Sequence, residues 1–167
     1  NIDSKTFTIN SDLNLLVRTT HYTGAIQNSG PMPPVANKET TYALEWKITN
    51  MRNRVSGAAV TTTLPSYVVW KNVVVPQSEA TNVSYNEVTR QLTWNVGDLP
   101  AGNDGSTSSR ILTVKVGITP SSQQVGGVPL LTGSMVLPGK DVFTNQDLSV
   151  TKLPLSTQLL NDGNGAG

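Results

Sequence analysis

Along most of this chain apolar and polar residues alternate with a period of two, the repeat of a strand with one dry and one wet face. The clearest run spans residues 41–50, where Tyr42, Leu44, Trp46 and Ile48 share one face and Ala43, Glu45, Lys47 and Thr49 the other. Residues 88–96 repeat the pattern, with Leu92, Trp94 and Val96 inward and Thr93 and Asn95 outward. Residues 110–118 do so again through Leu112, Val114, Val116 and Ile118. Runs rich in Val, Ile, Thr, Tyr and Trp predict further strands over 6–9, 13–18, 57–64, 67–74, 82–85, 128–136 and 147–155. Pro65, Pro76, Pro100, Pro120 and Pro138 fall between these runs, where a residue without an N–H ends a ladder. Helical periodicity is hard to find, so the chain reads as all-β, an antiparallel sandwich.

The same pattern suggests an organisation. Gly30-Pro31-Met32-Pro33-Pro34 reads as an extended, solvated, polyproline-like connection. It sets an N-terminal β-arm, residues 1–29, apart from a strand-dense body, residues 30–157, which is followed by a Gly/Asn-rich tail, residues 158–167. Asn103-Asp104-Gly105-Ser106 reads as a loop tip. Val73-Val74-Val75, stopped by Pro76, reads as a protected sheet edge. The arm strand over 6–10 has no local hairpin partner, so it must pair at long range within the chain or with another chain.

Composition narrows the function classes. Charged residues make up 14% of the chain, against ~25% in an average soluble domain, leaving a hydroxyl- and amide-rich surface common in secreted β proteins. The net charge is +1 with both signs interspersed, which argues against nucleic acid and against a basic membrane-binding face. No run of 18 apolar residues exists, so no direct membrane insertion is expected. The absence of cysteine removes disulfides, thiolate metal sites and a cysteine nucleophile. A chain of 167 residues can nonetheless bury roughly 70% of its unfolded surface and needs no such staple. It begins at Asn1 with no visible signal peptide, as a processed protein or a piece of a longer one would.

A collinear set of residues carries a resemblance. It runs through Pro33-Pro34, Thr40-Thr41-Tyr42, Trp46, Thr49-Asn50, Leu64-Pro65, Tyr85-Asn86 and Leu92-Thr93-Trp94-Asn95-Val96-Gly97. Leu99, Gly102, Thr119-Pro120-Ser121, Gln124-Val125-Gly126, Pro129-Leu130 and Asp141-Val142-Phe143-Thr144 complete it. From Pro33 onward the chain thereby resembles the Ig-like "conserved repeat" domains of bacterial and archaeal cell-surface proteins, in the variant typical of uncultivated small-genome bacteria. The resemblance implies an immunoglobulin-like sandwich, here with an extra N-terminal strand arm, placed outside the cell at its surface and without catalysis. The residues make physical sense beside it. Trp46 and Trp94 point inward from separate strands, and Asn50 is placed to bond turn backbone. Gly97 permits a positive φ before Leu99 tucks inward, and Asp141 can close a turn through its side chain.

Candidate chemistry does not outweigh plainer readings. His21, the sole histidine, lacks a nucleophile motif and reads as a surface or half-buried side chain. The acids, Glu79, Asp98 and Asp104 among them, read as solvated loop residues rather than a glycosidase pair. Lys47 and Glu45 are spaced for a Lys–Asn cross-link beside an acid, but alternation puts both on the wet face. Asn161-Asp162-Gly163-Asn164-Gly165 is like the start of a calcium loop without its later acids, and Asn82-Val83-Ser84 is a bare glycosylation sequon. With Trp46 and Trp94 in the core, Trp70, Tyr67 and Tyr22 are left as a platform for carbohydrate. No catalytic, cofactor-binding or metal-ligating residue is assigned, and no cofactor is expected. The sequence thus predicts a non-catalytic structural or interaction module. It is either a surface-protein spacer beside neighbouring domains or a subunit of a cell-surface filament or layer, self-associating by strand addition through the arm. The alternative is a carbohydrate-binding adhesin domain.

Overall fold

The computed structural model describes residues 10–102, 108–160 and 162, and within them the chain folds into nine strands and one 3₁₀ helix. The strands are β1 (Asp12–Thr20), β2 (Thr40–Met51), β3 (Val55–Thr63), β4 (Val68–Val75), β5 (Val83–Asn86), β6 (Gln91–Leu99), β7 (Ser108–Ile118), β8 (Met135–Asp141) and β9 (Asp147–Lys152). The 3₁₀ helix, Gln77–Asn82, joins β4 to β5. A four-stranded sheet of order β1-β2-β7-β4 faces a five-stranded sheet of order β5-β6-β3-β8-β9, and every pairing is antiparallel. This is the antiparallel sandwich the alternation predicts, in keeping with the immunoglobulin-like form that the resemblance implies.

The core lies where the alternating faces meet. Tyr42, Leu44, Trp46 and Ile48 of β2 and Leu112, Val114 and Val116 of β7 are buried against Val60, Leu92, Trp94 and Leu137 of the other sheet. Each tryptophan withdraws on the order of 200 Å2 from water, about 5 kcal/mol of transfer free energy before the entropy of ordering is set against it. Burial also pushes the Tyr42 hydroxyl up to about 12, with a smaller contribution from Tyr22.

Several boundaries differ from the sequence reading, each for a local reason. The strand predicted over 88–96 begins only at Gln91, because the Asn86 side chain accepts the Val88 and Thr89 N–H groups and closes a turn. The strand predicted over 128–136 is mostly irregular, with β8 starting at Met135; the Leu131 and Thr132 N–H groups bond instead to the Leu155 carbonyl. Pro138 therefore lies inside β8 and not between strands. It is tolerated because the β3–β8 ladder is interrupted between the pairs Ser56–Lys140 and Thr61–Val136, so no N–H is demanded there. Gly97 has φ +79, but as part of a bulge within β6 opposite Ala58.

The expected polyproline connection is also different. Residues 30–34 bend, with Met32 packed against the core, a cis Met32–Pro33 peptide, and Gly30 held so near the Glu39 carbonyl that a side chain would collide. Of the arm, residues 12–20 form β1 and pair with β2 over nine consecutive residues. The arm strand over 6–9, the loop tip at 103–106 and most of the tail lie outside the described residues.

Candidate functional site

A sandwich of two open sheets has four edges, and an edge is a row of unpaired backbone donors and acceptors. Three are blunted. β4 is broken by a bulge between Trp70 and Val74 and stopped by Pro76; β5 has four residues; β9 has six and is followed by Pro154. β1 is different. It runs nine residues without proline, glycine or register shift, and among the described residues no strand pairs with its outer side. Its one cation, Arg18, is neutralised by Glu45 at 3.0 Å.

Beside that edge is a groove of about 490 Å3, formed by β1 and the segment after β9 and lined by Leu16, Val17, Leu155 and Leu160 among others. Leu16 is 51% exposed and Leu160 61%. The sequence carried a signal for this: Leu15-Leu16-Val17 breaks the alternation, so one large apolar side chain of the three must face outward.

β1 is held in place at both ends by buried carboxylates. Before its first residue, the Ser11 N–H donates to Asp141 at 2.6 Å, and Asp141 also accepts from Asn53 Nδ2, the Phe143 N–H and the Thr144 N–H. After its last residue, Asp162 accepts from the N–H groups of His21, Tyr22 and Thr23 at 2.6, 2.9 and 2.8 Å, and from the Thr23 hydroxyl. Burial alone would raise both carboxyls; for each, the converging hydrogen bonds outweigh it and hold the group below its ordinary value. The turn role of Asp141 is as predicted, and its grip on Ser11 is additional. Asp162, in the segment that is like the start of a calcium loop without its later acids, has its oxygens occupied by N–H and O–H donors; the remaining residues of that segment lie outside the described ones.

A third carboxylate, Glu79, corrects the solvated-loop reading. It is buried in the 3₁₀ helix and accepts from Trp94 Nε1 at 2.9 Å, Asn82 Nδ2 at 2.9 Å, and the Arg110 guanidinium. Burial would raise its carboxyl, but the bonds from Asn82, Arg110 and Trp94 prevail and lower it. Arg110 also donates to the Val96 carbonyl and lies over the Trp94 ring, so the network ties the helix to both sheets. The Asn82 amide of the sequon is thus engaged.

The other candidates are scattered. His21 shares a 2.8 Å hydrogen bond between Nδ1 and the Thr41 carbonyl, and its ring packs on Tyr22 and Tyr42. Asp98 pairs with Arg54 at the surface, and Asp104 lies outside the described residues. Glu45 is committed to Arg18 on the outer face of β2, where Lys47 also sits half-buried. The Tyr67 hydroxyl donates to the Leu130 carbonyl at 2.7 Å. Trp70 is half-buried against Tyr85, and Tyr22 is exposed.

Comparison with solved structures then places the architecture. The crystal structure of BcpA, the major pilin subunit of Bacillus cereus, superposes with a TM-score of 0.53 at 13% identity, covering 87% of this chain and 40% of that one. A variant of the same subunit gives a TM-score of 0.56 at 16% identity, covering 88% and 40%. The likeness is one of fold. This chain spans about two fifths of the length of those pilin chains. No family model and no curated protein matches it.

Proposed function

We infer that this chain is a non-catalytic structural module of an assembly at the outer surface of a cell, joined to a neighbouring copy by strand addition along the open edge of β1. The observation that carries this reading is that edge: nine residues, regular, with its one cation paired to Glu45, and bordered by an apolar groove. A strand laid there gains main-chain hydrogen bonds, and alternate side chains gain the groove. The donor is the arm strand of the next copy. In Thr6-Phe7-Thr8-Ile9 the apolar side chains fall at every second position, as a groove on one face requires. Such a contact joins unlike surfaces and grows head to tail. The fold likeness to a major pilin subunit supports the filament form, while the resemblance to surface-protein repeats is equally compatible with a spacer.

The test is size-exclusion chromatography with negative-stain microscopy of the chain, of a form lacking residues 1–9, and of Leu16→Lys. Deletion stops before β1, so the sandwich is left intact. Polymers from the full chain that disappear in both altered forms are expected. Polymers that survive removal of residues 1–9 would overturn strand addition, and monomers throughout would leave a spacer.

A further inference from the structure

Among the described residues, Glu79, Asp141, Asp162, Asn50 and Arg90 each hold several partners. The region between β4 and β5 is different. Where β4 and β5 form neighbouring edges of the two sheets, a cleft of about 520 Å3 opens, lined by Trp70, Asn72, Gln77, Tyr85 and Glu87 over a floor that includes Val74. Its volume falls within the ~300–1,000 Å3 of small-molecule sites. No hydrogen bond within the described residues engages the side chain of any of those five polar or aromatic residues. Two adjoining hollows, of about 320 and 480 Å3, share Tyr85 and Glu87 with it, so the concavity continues along the strand edges.

The backbone is shaped to the same place. Trp70 pairs with Val116 and Val74 with Val114, so three residues of β4 stand opposite one of β7. Asn72, in the middle of this bulge, has φ +55, a left-handed conformation that asparagine tolerates better than most residues. The bulge takes Asn72 out of the ladder and into the lining of the cleft. Trp70 and Tyr85 form a tilted ring pair, with centroids 5.7 Å apart and planes 31° from parallel; both are half-buried and both line the cleft.

We propose that this cleft is a saccharide-binding site, with Trp70 and Tyr85 as the stacking surface and Asn72, Gln77 and Glu87 as hydroxyl-binding groups. Aromatic faces take the C–H faces of a pyranose ring. Side-chain amides and a carboxylate supply the paired donors and acceptors that vicinal hydroxyls need. Other ligand classes fit less well. No lysine or arginine lines the 520 Å3 cleft; the nearby Lys71 is bonded to Glu39 at 2.8 Å, and Arg90, in the adjoining hollow, donates to the Leu64, Pro65 and Val68 carbonyls, so no cation is left to offer phosphate or sulfate a counter-charge. Glu87 further disfavours anions, which restricts the ligand to neutral or amino sugars. An added peptide strand is obstructed by the bulge and by Pro76. The site is on the opposite side of its sheet from β1, so it operates whether or not the chain polymerises.

The experiment is a titration of the full chain with cellobiose, chitobiose and β-1,4-galactobiose, followed by tryptophan fluorescence and by amide shifts in heteronuclear NMR. At least one disaccharide is expected to perturb Trp70, Asn72 and Tyr85 in a saturable way. Because Trp70 also packs toward the core, Trp70→Ala is accompanied by Asn72→Gly, which suits the positive φ while deleting the amide, and by exposed Glu87→Ala. Each is expected to weaken binding about tenfold or more, with the two polar variants melting like the parent. No saturable perturbation by any of the three sugars would overturn the proposal. So would binding that Asn72→Gly and Glu87→Ala leave unchanged.

Discussion

Glu79 shows how far one residue can be from its apparent role. By sequence it sits among Ser, Ala, Thr and Asn after a proline, which reads as a wet loop. In the fold its carboxylate is the shared acceptor for Trp94, Asn82 and Arg110, with the Glu79 side chain 10% and the Arg110 side chain 27% exposed. Removing the acceptor leaves a buried indole N–H without a partner and a half-buried guanidinium with only the Val96 carbonyl, and such losses cost more than the bonds are worth net. Glu79→Ala is expected to lower unfolding free energy by roughly 2–4 kcal/mol in urea titrations, and Glu79→Gln by less, since an amide oxygen can still accept from the indole. The tryptophan emission of Trp94 provides a second readout. Little of this was legible from the chain, because Trp94 and Arg110 are 15 and 31 residues away and meet Glu79 only through the order of strands.

At the scale of elements, β1 and its two carboxylate clamps form a unit with a defined acid response. Asp141 and Asp162 both have folded values below the ordinary Asp range. Their contribution is therefore fully present above the unfolded value, near ~3.9, and is lost as pH falls through the lower folded values. Stability should be flat from neutrality to about pH 5 and fall below about pH 4. Asp141→Asn with Asp162→Asn should lower the plateau and make the acid fall shallower. Chemical denaturation between pH 2 and 7 checks both, and hydrogen exchange should show β1 opening before β2 and β7 in the double variant. The strand itself was readable from its apolar positions. Its clamps were legible only in part: the turn closed by Asp141 was, but its grip on Ser11 and that of Asp162 on residues 21–23 span 130 residues or more and follow only from the assembled fold.

For the whole molecule, period-two alternation was enough to give the sandwich, the faces of β2, β6 and β7 and the burial of Trp46 and Trp94. Inward faces are dictated locally and every strand with a wet side reports its own register. Strand ends were less legible where a side chain or a ladder gap decides them, as Asn86 and Pro138 do. Edges were least legible, since which strand is left unpaired depends on the order in which all the others assemble. The clamped edge strand has one more consequence, for mechanics. Ser11 is gripped at one end of β1 and Asp162 grips the residues at the other, so tension applied between positions 11 and 162 runs along the strand. The Asp162 bonds carry that load first; once they give, the nine pairs with β2 are loaded together in shear instead of being unzipped in turn. Pulling single molecules from these two positions should give one high rupture peak, lowered by Asp162→Ala; pulling from positions 11 and 51, where β1 peels from β2 end first, should need much less force.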